Sequence, residues 1–224
     1  MAGSTRVQLD GQSVRLRQAT EYPWQGEVTV AVEPEREVEF ALHVRVPGWA
    51  REQPVPSDLY RYADGAGRPY TLSVNGHPQK VELEKGYAVL QRKWKAGDSV
   101  RLSLPMPVRR AVSNDRVAAN AGRVALERGP IVYAMEAVDN GGDVFNVVLP
   151  DDAQLSAERR PELLGGVTVV TGKALVMHPV ADGRSVVTQE HSFTAIPYNV
   201  WSHRGEDQME VWIPRRVNLS LQIP

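Results

Sequence analysis

The sequence predicts an all-β protein made of two consecutive antiparallel β-sandwich domains. Three observations support this fold class: apolar and polar residues alternate over many short segments, turn-forming residues recur every roughly 8–12 residues, and helical periodicity is nearly absent. Alternation with a period of two places one face of a strand on a core and the other in water. Many short strands between regular turns are typical of sandwiches and barrels.

The first half of the chain contains the clearest alternation. Apolar residues occupy alternate positions over 28–32 and again over 40–46, and the polar segment 33–37 joins the two runs. This arrangement predicts an antiparallel hairpin. A second hairpin is predicted at Asn75-Gly76, because both residue types tolerate positive φ. Further strands of the first half are predicted over 70–74, 81–83, 87–90 and 100–104.

The second half shows the same pattern of short strands. Its predicted strands cover 123–127, 131–136, 145–149, 167–170, 173–177, 192–197 and 209–213. Residues 153–164 are ambiguous between helix and strand, and Pro161 interrupts them. Residues 51–69 are polar and rich in proline and glycine, so they are predicted to form a loop within the first half.

A domain boundary is predicted where the first series of strands ends. Pro105 and Pro107 terminate the last of these strands, because proline cannot donate to a sheet ladder. The boundary region spans 105–114 and predicts one domain over 1–108 and another over 109–224. Each half then has about 110 residues, which is the size of a single β-sandwich.

The composition of the 224-residue chain excludes several classes of protein. A net charge of −1 argues against a nucleic-acid-binding surface, and the absence of cysteine excludes disulfides, thiol nucleophiles and cysteine-bound metals. The five histidines are scattered without metal-ligand spacing. No apolar run is long enough to span a membrane, and the first residues do not resemble a signal peptide. We therefore expect a soluble protein without cofactor, metal, nucleic-acid or membrane partner, in a compartment that the sequence does not reveal.

The carboxylates predict no catalytic residue. A glycosidase needs two carboxyl groups facing each other across one cleft. Asp151 and Asp152 are adjacent, so on a strand their side chains would point to opposite faces. In a loop after Pro150 they are better interpreted as turn or capping residues. An enzyme that uses this pair is the least favoured of three functional hypotheses.

The tryptophans are the candidate contact residues. Trp49 and Trp201 lie in predicted loops, and Trp24 lies just before a predicted strand. Exposed indole rings can stack on the apolar face of a sugar. Large aromatic side chains are more often buried in packing than exposed. Trp49, Trp201 and Trp24 are therefore candidates for either carbohydrate contact or interdomain packing.

Several phrases of the sequence, taken in order, resemble one enzyme family. They include Ala-Thr-Glu-Tyr-Pro-Trp at 19–24, Val-Arg-Val-Pro-Gly-Trp-Ala at 44–50, Leu-Ser-Val-Asn-Gly at 72–76, the segment 86–98, Arg-Val-Ala-Leu-Glu-Arg-Gly-Pro-Ile-Val-Tyr at 123–133 and Ile-Pro-Tyr-Asn-Val-Trp-Ser-His-Arg-Gly at 196–205. Together they resemble the C-terminal β-sandwich region of β-L-arabinofuranosidase-like glycoside hydrolases, family 127 and relatives. The resemblance extends from about residue 20 to residue 213.

The resemblance implies that catalysis and accessory functions lie in different domains. Members of the family have an N-terminal (α/α)₆ barrel followed by two β-sandwiches, and a cysteine nucleophile and a cysteine-bound zinc lie in the barrel. Because this chain has no cysteine, no catalytic position carries over to it. The resemblance therefore implies a non-catalytic accessory region that packs on an upstream helical-barrel catalytic domain, in cis or as a separate chain, with a homodimer as a further candidate assembly.

A stand-alone carbohydrate-binding module is the alternative hypothesis, with a glycan stacked on exposed tryptophan. The accessory hypothesis makes a structural prediction that distinguishes it. A surface that normally docks on a barrel is expected to appear as an exposed apolar patch.

Overall fold

The computed structural model describes residues 2–180 and 185–217, and it confirms the all-β fold class. Strands and short 3₁₀ helices are the regular elements of this described part. The strands of the first half are β1 (Gly3–Leu9), β2 (Gln12–Thr20), β3 (Glu27–Pro34), β4 (Val38–Arg45), β5 (Tyr60–Tyr62), β6 (Thr71–Val74), β7 (His77–Pro78), β8 (Leu83–Glu84), β9 (Tyr87–Trp94) and β10 (Asp98–Ser103). Those of the second half are β11 (Val108–Ser113), β12 (Arg123–Arg128), β13 (Ile131–Glu136), β14 (Val147–Val148), β15 (Leu155–Arg160), β16 (Val167–Pro179), β17 (Val186–Pro197), β18 (Met209–Glu210) and β19 (Ile213–Pro214). The 3₁₀ helices are Gly48–Arg51, Ala118–Asn120, Ala137–Asp139 and Tyr198–Val200.

The chain divides into two compact units. Unit 1 contains the described residues of Met1–Pro56 and Ala66–Met106, and unit 2 contains those of Ser57–Gly65 and Pro107–Pro224. The segment that the sequence predicts as a loop of the first half therefore contributes β5 to unit 2, where β5 pairs with β11. The predicted domain limits, 1–108 and 109–224, stay a prediction.

Unit 1 is built from two antiparallel sheets of unequal width. The wider sheet has the strand order β1-β2-β3-β10-β6-β7, and the narrower one has the order β4-β9-β8. Alternate residues of each sheet point inward and form one core, as the alternating sequence predicts. The fully buried members of this core include Val14, Val32, Val46, Ala88 and Trp94.

The Asn75-Gly76 turn connects β6 to β7, as predicted. Both residues have positive φ, 51° and 80°. Asn75 Nδ2 donates to Asp98 Oδ1 at 2.8 Å, and Asn75 Oδ1 accepts from the Ser99 N–H at 2.9 Å. Asp98 is almost fully buried, and its carboxylate obtains its polar partners from Asn75 Nδ2 and from the Lys95 N–H, which donates to Asp98 Oδ2 at 3.0 Å.

Unit 2 consists of one branched antiparallel sheet. Its main path has the order β14-β16-β17-β13-β12-β11-β5, while β15 pairs with β16, β18 with β13 and β19 with β12. The single long strand β16 replaces the two separate strands that the sequence predicts over 167–170 and 173–177, and it pairs with β17. The core contains Leu126, Tyr133, Met135, Leu149 and Ile196, each at most 1% exposed.

Two of the differences from the sequence-based expectation are the hairpin β1–β2 and the segment 153–164. The hairpin β1–β2 is not predicted, although its Asp10-Gly11 turn, with φ of 48° and 71°, is a recognised hairpin signal. The segment 153–164, which the sequence leaves ambiguous, contains the strand β15, Leu155–Arg160. The β15 residues are exposed or half-buried, which explains why the sequence shows no alternation there. In the described residues, no helix has the length and apolar character needed to cross a membrane.

Candidate functional site

A buried carboxylate anchors the loop that follows β17. Glu136 ends β13 and is 2% exposed, and it forms an ion pair with Arg204. The Arg204 guanidinium also binds Asp139, with Nη1–Oδ1 at 2.9 Å, and the Ser202 N–H donates to Glu136 Oε1 at 2.6 Å. The hydrogen bond to Asp139 is the main effect that raises the pKa of Arg204 above its usual range. The loop is therefore held by a charged group that stays ionised.

The turn that carries Asp139 is fixed to the neighbouring strand by an asparagine. Asn140 is 4% exposed, and its Nδ2 donates to the carbonyls of Glu136 at 2.6 Å and Thr194 at 2.9 Å. Its Oδ1 accepts the Thr194 N–H at 3.0 Å. Because the polar atoms of this buried amide are paired with backbone, the turn has one defined position relative to β13 and β17.

The anchored loop and the segment 137–145 together present apolar side chains to solvent. Tyr198 and Trp201 are 45% and 36% exposed, and their rings stack with centroids 6.4 Å apart and an interplanar angle of 26°. Val138 and Phe145 are even more exposed, at 59% and 61%. We call these four residues, Val138, Phe145, Tyr198 and Trp201, the aromatic patch. Exposed aromatic side chains on a well-anchored loop are typical of a contact surface.

Hydrogen bonds join the two segments that carry the aromatic patch. The Val138 N–H donates to Asp207 Oδ2 at 2.6 Å. The N–H of Val144, the residue before Phe145, donates to Gln208 Oε1 at 3.2 Å. These two hydrogen bonds thus join residues 137–145 to residues 198–208.

The other two tryptophan candidates are less accessible. Trp49 lies in the 3₁₀ helix Gly48–Arg51, packs against the core of unit 1, and donates its indole N–H to Tyr22 Oη at 3.4 Å. Trp24 is half-buried in the turn that follows β2. The structure brings Trp49 to the segment that contains Trp24, whereas Trp201 belongs to unit 2. Carbohydrate contact by any of the three stays a prediction.

Asp151 lies in an ion pair rather than a catalytic arrangement. Both of its carboxylate oxygens accept from Arg215, at 2.7 and 2.8 Å. The hydrogen bond to Arg215 is the main effect that lowers the pKa of Asp151. A general acid needs the opposite shift. Asp152 is exposed in the same turn, and its backbone carbonyl accepts from Gln154 Nε2 at 3.2 Å.

Neither Glu136 nor Arg204 is predicted as a site residue from the sequence. The available signal was Glu136 itself, a charged residue at the end of the apolar strand Ile131–Glu136. Such a residue needs a partner when it is buried. The partner is 68 positions away along the chain, and only the fold brings the two groups together.

A second buried cluster fixes β5 within unit 2. The Arg109 guanidinium lies 4.0 Å from the centroid of the Tyr62 ring and binds Asp64 Oδ1 at 3.1 Å. The Tyr62 hydroxyl donates to Glu127 Oε2 at 2.9 Å, and burial raises the pKa of Glu127. The cluster is enclosed by β5, β11 and β12, so we interpret it as the structural attachment of β5.

Unit 1 contains a cleft between its two sheets. The cleft has a volume of about 660 Å³, and its lining residues come from β1, β2, β3, β4, β9 and β10 and from the adjoining Tyr22, Pro47 and Leu104. Its walls are mainly apolar side chains of the inner sheet faces. Across residues 2–180 and 185–217, no group of three or more histidine, cysteine, aspartate or glutamate side chains is placed to hold a metal ion.

Glu210 predicts a pH dependence of stability. Its Oε1 accepts from Arg123 Nη1 at 2.5 Å, whereas the buried Oε2 has no partner among the described residues. Burial raises the pKa of Glu210 from 4.5 to about 7. The carboxyl group of Glu210 thus binds a proton more tightly in the folded state than in the unfolded chain. The contribution of Glu210 to stability is complete below pH 4.5 and is lost as the pH rises to about 7.

We expect Glu210→Gln to remove this pH dependence. The shift in pKa corresponds to about 3 kcal/mol, which the native protein loses between pH 5 and pH 8 and the neutral variant does not. Urea unfolding of both proteins at several pH values measures the difference in their free energies of unfolding. Two parallel pH profiles would contradict the expectation.

Family models match both halves of the chain. The model described as "Beta-L-arabinofuranosidase, GH127 middle domain" matches residues 1–106, and the "Glycoside hydrolase family 127 C-terminal domain" matches residues 108–214. A curated relative from Bifidobacterium longum, named non-reducing end beta-L-arabinofuranosidase, is 32% identical over 215 residues, covering 88% of this chain and 30% of that protein.

Solved structures of glycoside hydrolases have the same fold as this chain. A GH127 beta-arabinofuranosidase superposes with a TM-score of 0.90 at 38% identity, covering 96% of this chain and 34% of that one. A GH127 beta-L-arabinofuranosidase from Geobacillus stearothermophilus T6 gives 0.83 at 40% identity, covering 95% and 32%. The chain thus spans about a third of the length of these relatives. The chain belongs to glycoside hydrolase family 127, and it corresponds to the middle and C-terminal domains of the family's members.

Proposed function

We propose that this chain is the non-catalytic accessory region of a glycoside hydrolase that acts on arabinofuranose-containing glycans, and that it packs on an (α/α)₆ catalytic barrel. The relatives named beta-L-arabinofuranosidase, each about three times the length of the matched region, support the substrate class. By itself the chain is expected to hydrolyse no glycoside, since it contains no cysteine for the chemistry that the family resemblance implies.

The observation that carries the proposal is the aromatic patch of unit 2. Tyr198 and Trp201 are large apolar groups held toward solvent by a loop whose Arg204 binds the buried Glu136. A free solvated loop would not require such an anchor. Aromatic side chains on a rigid support are the groups that dominate the binding energy of protein interfaces. The patch therefore has the properties of a docking surface for another domain.

Trp201→Ala tests this proposal. The barrel portion of a family member is produced as a separate chain, and its affinity for this protein is measured by interferometry. We expect Trp201→Ala to weaken association by about thirtyfold, the effect of removing an interface residue worth ~2 kcal/mol. A second readout is the hydrolysis of an aryl arabinofuranoside by the separate barrel, measured with and without this chain.

Val187→Ala is the matched control. Val187 is 59% exposed on the β16–β17 hairpin, outside the aromatic patch. We expect this variant to associate with the barrel as the native chain does. Equal affinities for the native chain, Trp201→Ala and Val187→Ala would overturn the role of the patch.

A carbohydrate-binding module is the second candidate function, and the stacked pair of Tyr198 and Trp201 is the observation that favours it. Adjacent exposed rings can form a platform for a sugar. Isothermal titration with arabino-oligosaccharides distinguishes the two functions, because the accessory function predicts no heat of binding to this chain alone. Sedimentation velocity of the same samples tests the further proposal that two copies form a homodimer.

A further inference from the structure

The strand β4 has one open edge. In the narrower sheet of unit 1, β4 pairs with β9, and no other described strand lies on its second side. The Val46 N–H donates to Gly86 O at 2.9 Å and continues the β4–β9 ladder. Because hydrogen-bonded pairs alternate in an antiparallel ladder, Val44 bonds β9 while the backbone N–H and C=O of Ala41 and His43 point to the open side.

The cleft of unit 1 lies beside this open edge. Leu42 and Val44 of β4 form one wall, and Leu16, Val28 and Val30 of the wider sheet form the other. Leu16, Leu42, Val28 and Val30 are only half-buried although they face inward. The sandwich is thus incomplete where its second sheet ends at β4.

The wider sheet extends beyond the narrower one. Val7 of β1 lies directly opposite Val14 of β2, so both side chains are on the inner face. Val14 is fully buried, whereas Val7 is 42% exposed. Six strands on one side face three on the other, and the inner face beneath β1 and β2 is left partly uncovered.

We propose that the open edge of β4 is an acceptor for an extended polypeptide strand, which pairs with Ala41, His43 and Arg45 and inserts alternate apolar side chains into the cleft. This is β-strand addition, in which backbone bonds supply affinity and pockets select side chains. Residues 41–45 extend over about 17 Å at ~3.3 Å per residue, so the donor contributes five or six residues.

The donor is a segment of the polypeptide that longer family members carry beyond the matched region. This assignment rests on the proposed function. The relatives provide the chain length for such a segment, because the region matched here accounts for only 30% and 34% of two of them. Arg45 is the one charged side chain among the described residues that line the cleft. The donor strand that fits is therefore apolar, and any charged residue in it is acidic and lies near Arg45.

The geometry favours a single strand over the other occupants. A second copy of this chain would bring a whole sheet against β4, but the space there is bounded by β1 and β2 of the same unit. A sugar lacks donors and acceptors at the spacing of a ladder and leaves the apolar wall of Leu16 and Val30 in contact with hydroxyls. One strand satisfies both the backbone edge and the apolar floor.

Hydrogen exchange with a peptide probe tests the proposal on this chain alone. The probe is the N-acetylated, C-amidated octapeptide Glu-Thr-Val-Thr-Val-Thr-Val-Glu, whose acidic ends match the charge of Arg45 in either strand direction. We expect saturable one-to-one binding and exchange slowed by about tenfold or more at the amides of Ala41, His43 and Arg45. The Val44 amide, which already bonds β9, is expected to keep its rate. Absence of saturable binding up to millimolar peptide would overturn the proposal.

Two substitutions at one position provide the matched comparison. His43→Pro removes the N–H on the open side and leaves the bonds to β9 intact, since proline is tolerated where an edge strand faces outward. His43→Ala keeps that N–H. We expect His43→Pro to weaken peptide binding by about tenfold or more and His43→Ala by less than about twofold. Equal affinities in the two variants would reject strand addition.

The remaining outcomes identify other occupants. A peptide N-methylated at alternate residues repeats the comparison without altering the protein, and its unchanged binding would reject backbone pairing. A dimer in sedimentation that dissociates in His43→Pro would assign the edge to a second copy and overturn the proposal. Because no barrel is used, failure here leaves the result for Trp201→Ala unaffected, and failure of barrel association leaves the peptide result standing.

Discussion

Replacing Arg204 by Met is expected to lower the free energy of unfolding of unit 2 by about 3–5 kcal/mol. The substitution leaves the carboxylate of Glu136, which is 2% exposed, without its cationic partner. Removing one member of a buried ion pair costs more than the pair contributes, because an uncompensated charge stays in an apolar environment. Calorimetry measures the effect, since the two units need not unfold in a single transition.

A second substitution separates the charge from the packing. Adding Glu136→Gln to Arg204→Met removes the uncompensated charge but keeps an acceptor for the Ser202 N–H. We expect this double variant to recover most of the lost stability. A loss below about 1 kcal/mol in Arg204→Met, or no recovery in the double variant, would show that the ion pair does not hold the loop.

The ion pair of Arg204 with Glu136 also bears on function. The loop that Arg204 anchors carries Tyr198 and Trp201, so its release would displace half of the aromatic patch. At a temperature low enough for unit 2 to stay folded, we therefore expect Arg204→Met to associate with a barrel less tightly than the native chain does. The anchor is a positioning residue in this scheme, while the aromatic side chains make the contact.

Trp94→Ala is expected to destabilise unit 1 by about 3–5 kcal/mol. Trp94 is fully buried at the end of β9, and its indole N–H donates to the Phe40 carbonyl at 3.0 Å. Its ring lies 5.7 Å from that of Phe40, centroid to centroid. Truncation removes the largest side chain of this core and leaves a cavity that the neighbouring strands cannot fill. Urea unfolding followed by the remaining tryptophans measures the loss.

Trp94→Phe is the conservative control. It retains an aromatic ring in the core but lacks the indole N–H, so we expect a smaller loss of about 1–2 kcal/mol. Destabilisation by Trp94→Ala of less than about 1 kcal/mol would mean that β4 and β9 collapse around the vacancy. Similar losses in the two variants would instead assign the stabilisation to the hydrogen bond.

The predictability of each strand follows from how its two faces are solvated. The strands over 28–32 and 40–46 were recognised because one face is buried and the other is not, which leaves an alternating sequence. The β1 and β15 strands are exposed or half-buried on both faces, so neither shows a strong alternation. Residues 3–5 of β1, which are exposed, line the cleft.

The sequence by itself determined the all-β class, most strand positions, the Asn75-Gly76 turn and the family to which the chain belongs. These properties are local, since periodicity and turn chemistry act between residues that are close along the chain. Tertiary structure alone decided which distant groups meet. The contact between Glu136 and Arg204 joins residues 68 positions apart, and the attachment of β5 to β11 brings residues 60–62 into unit 2. The open edge of β4 is likewise invisible in its own sequence, because an edge exists only when the neighbours of a strand are known.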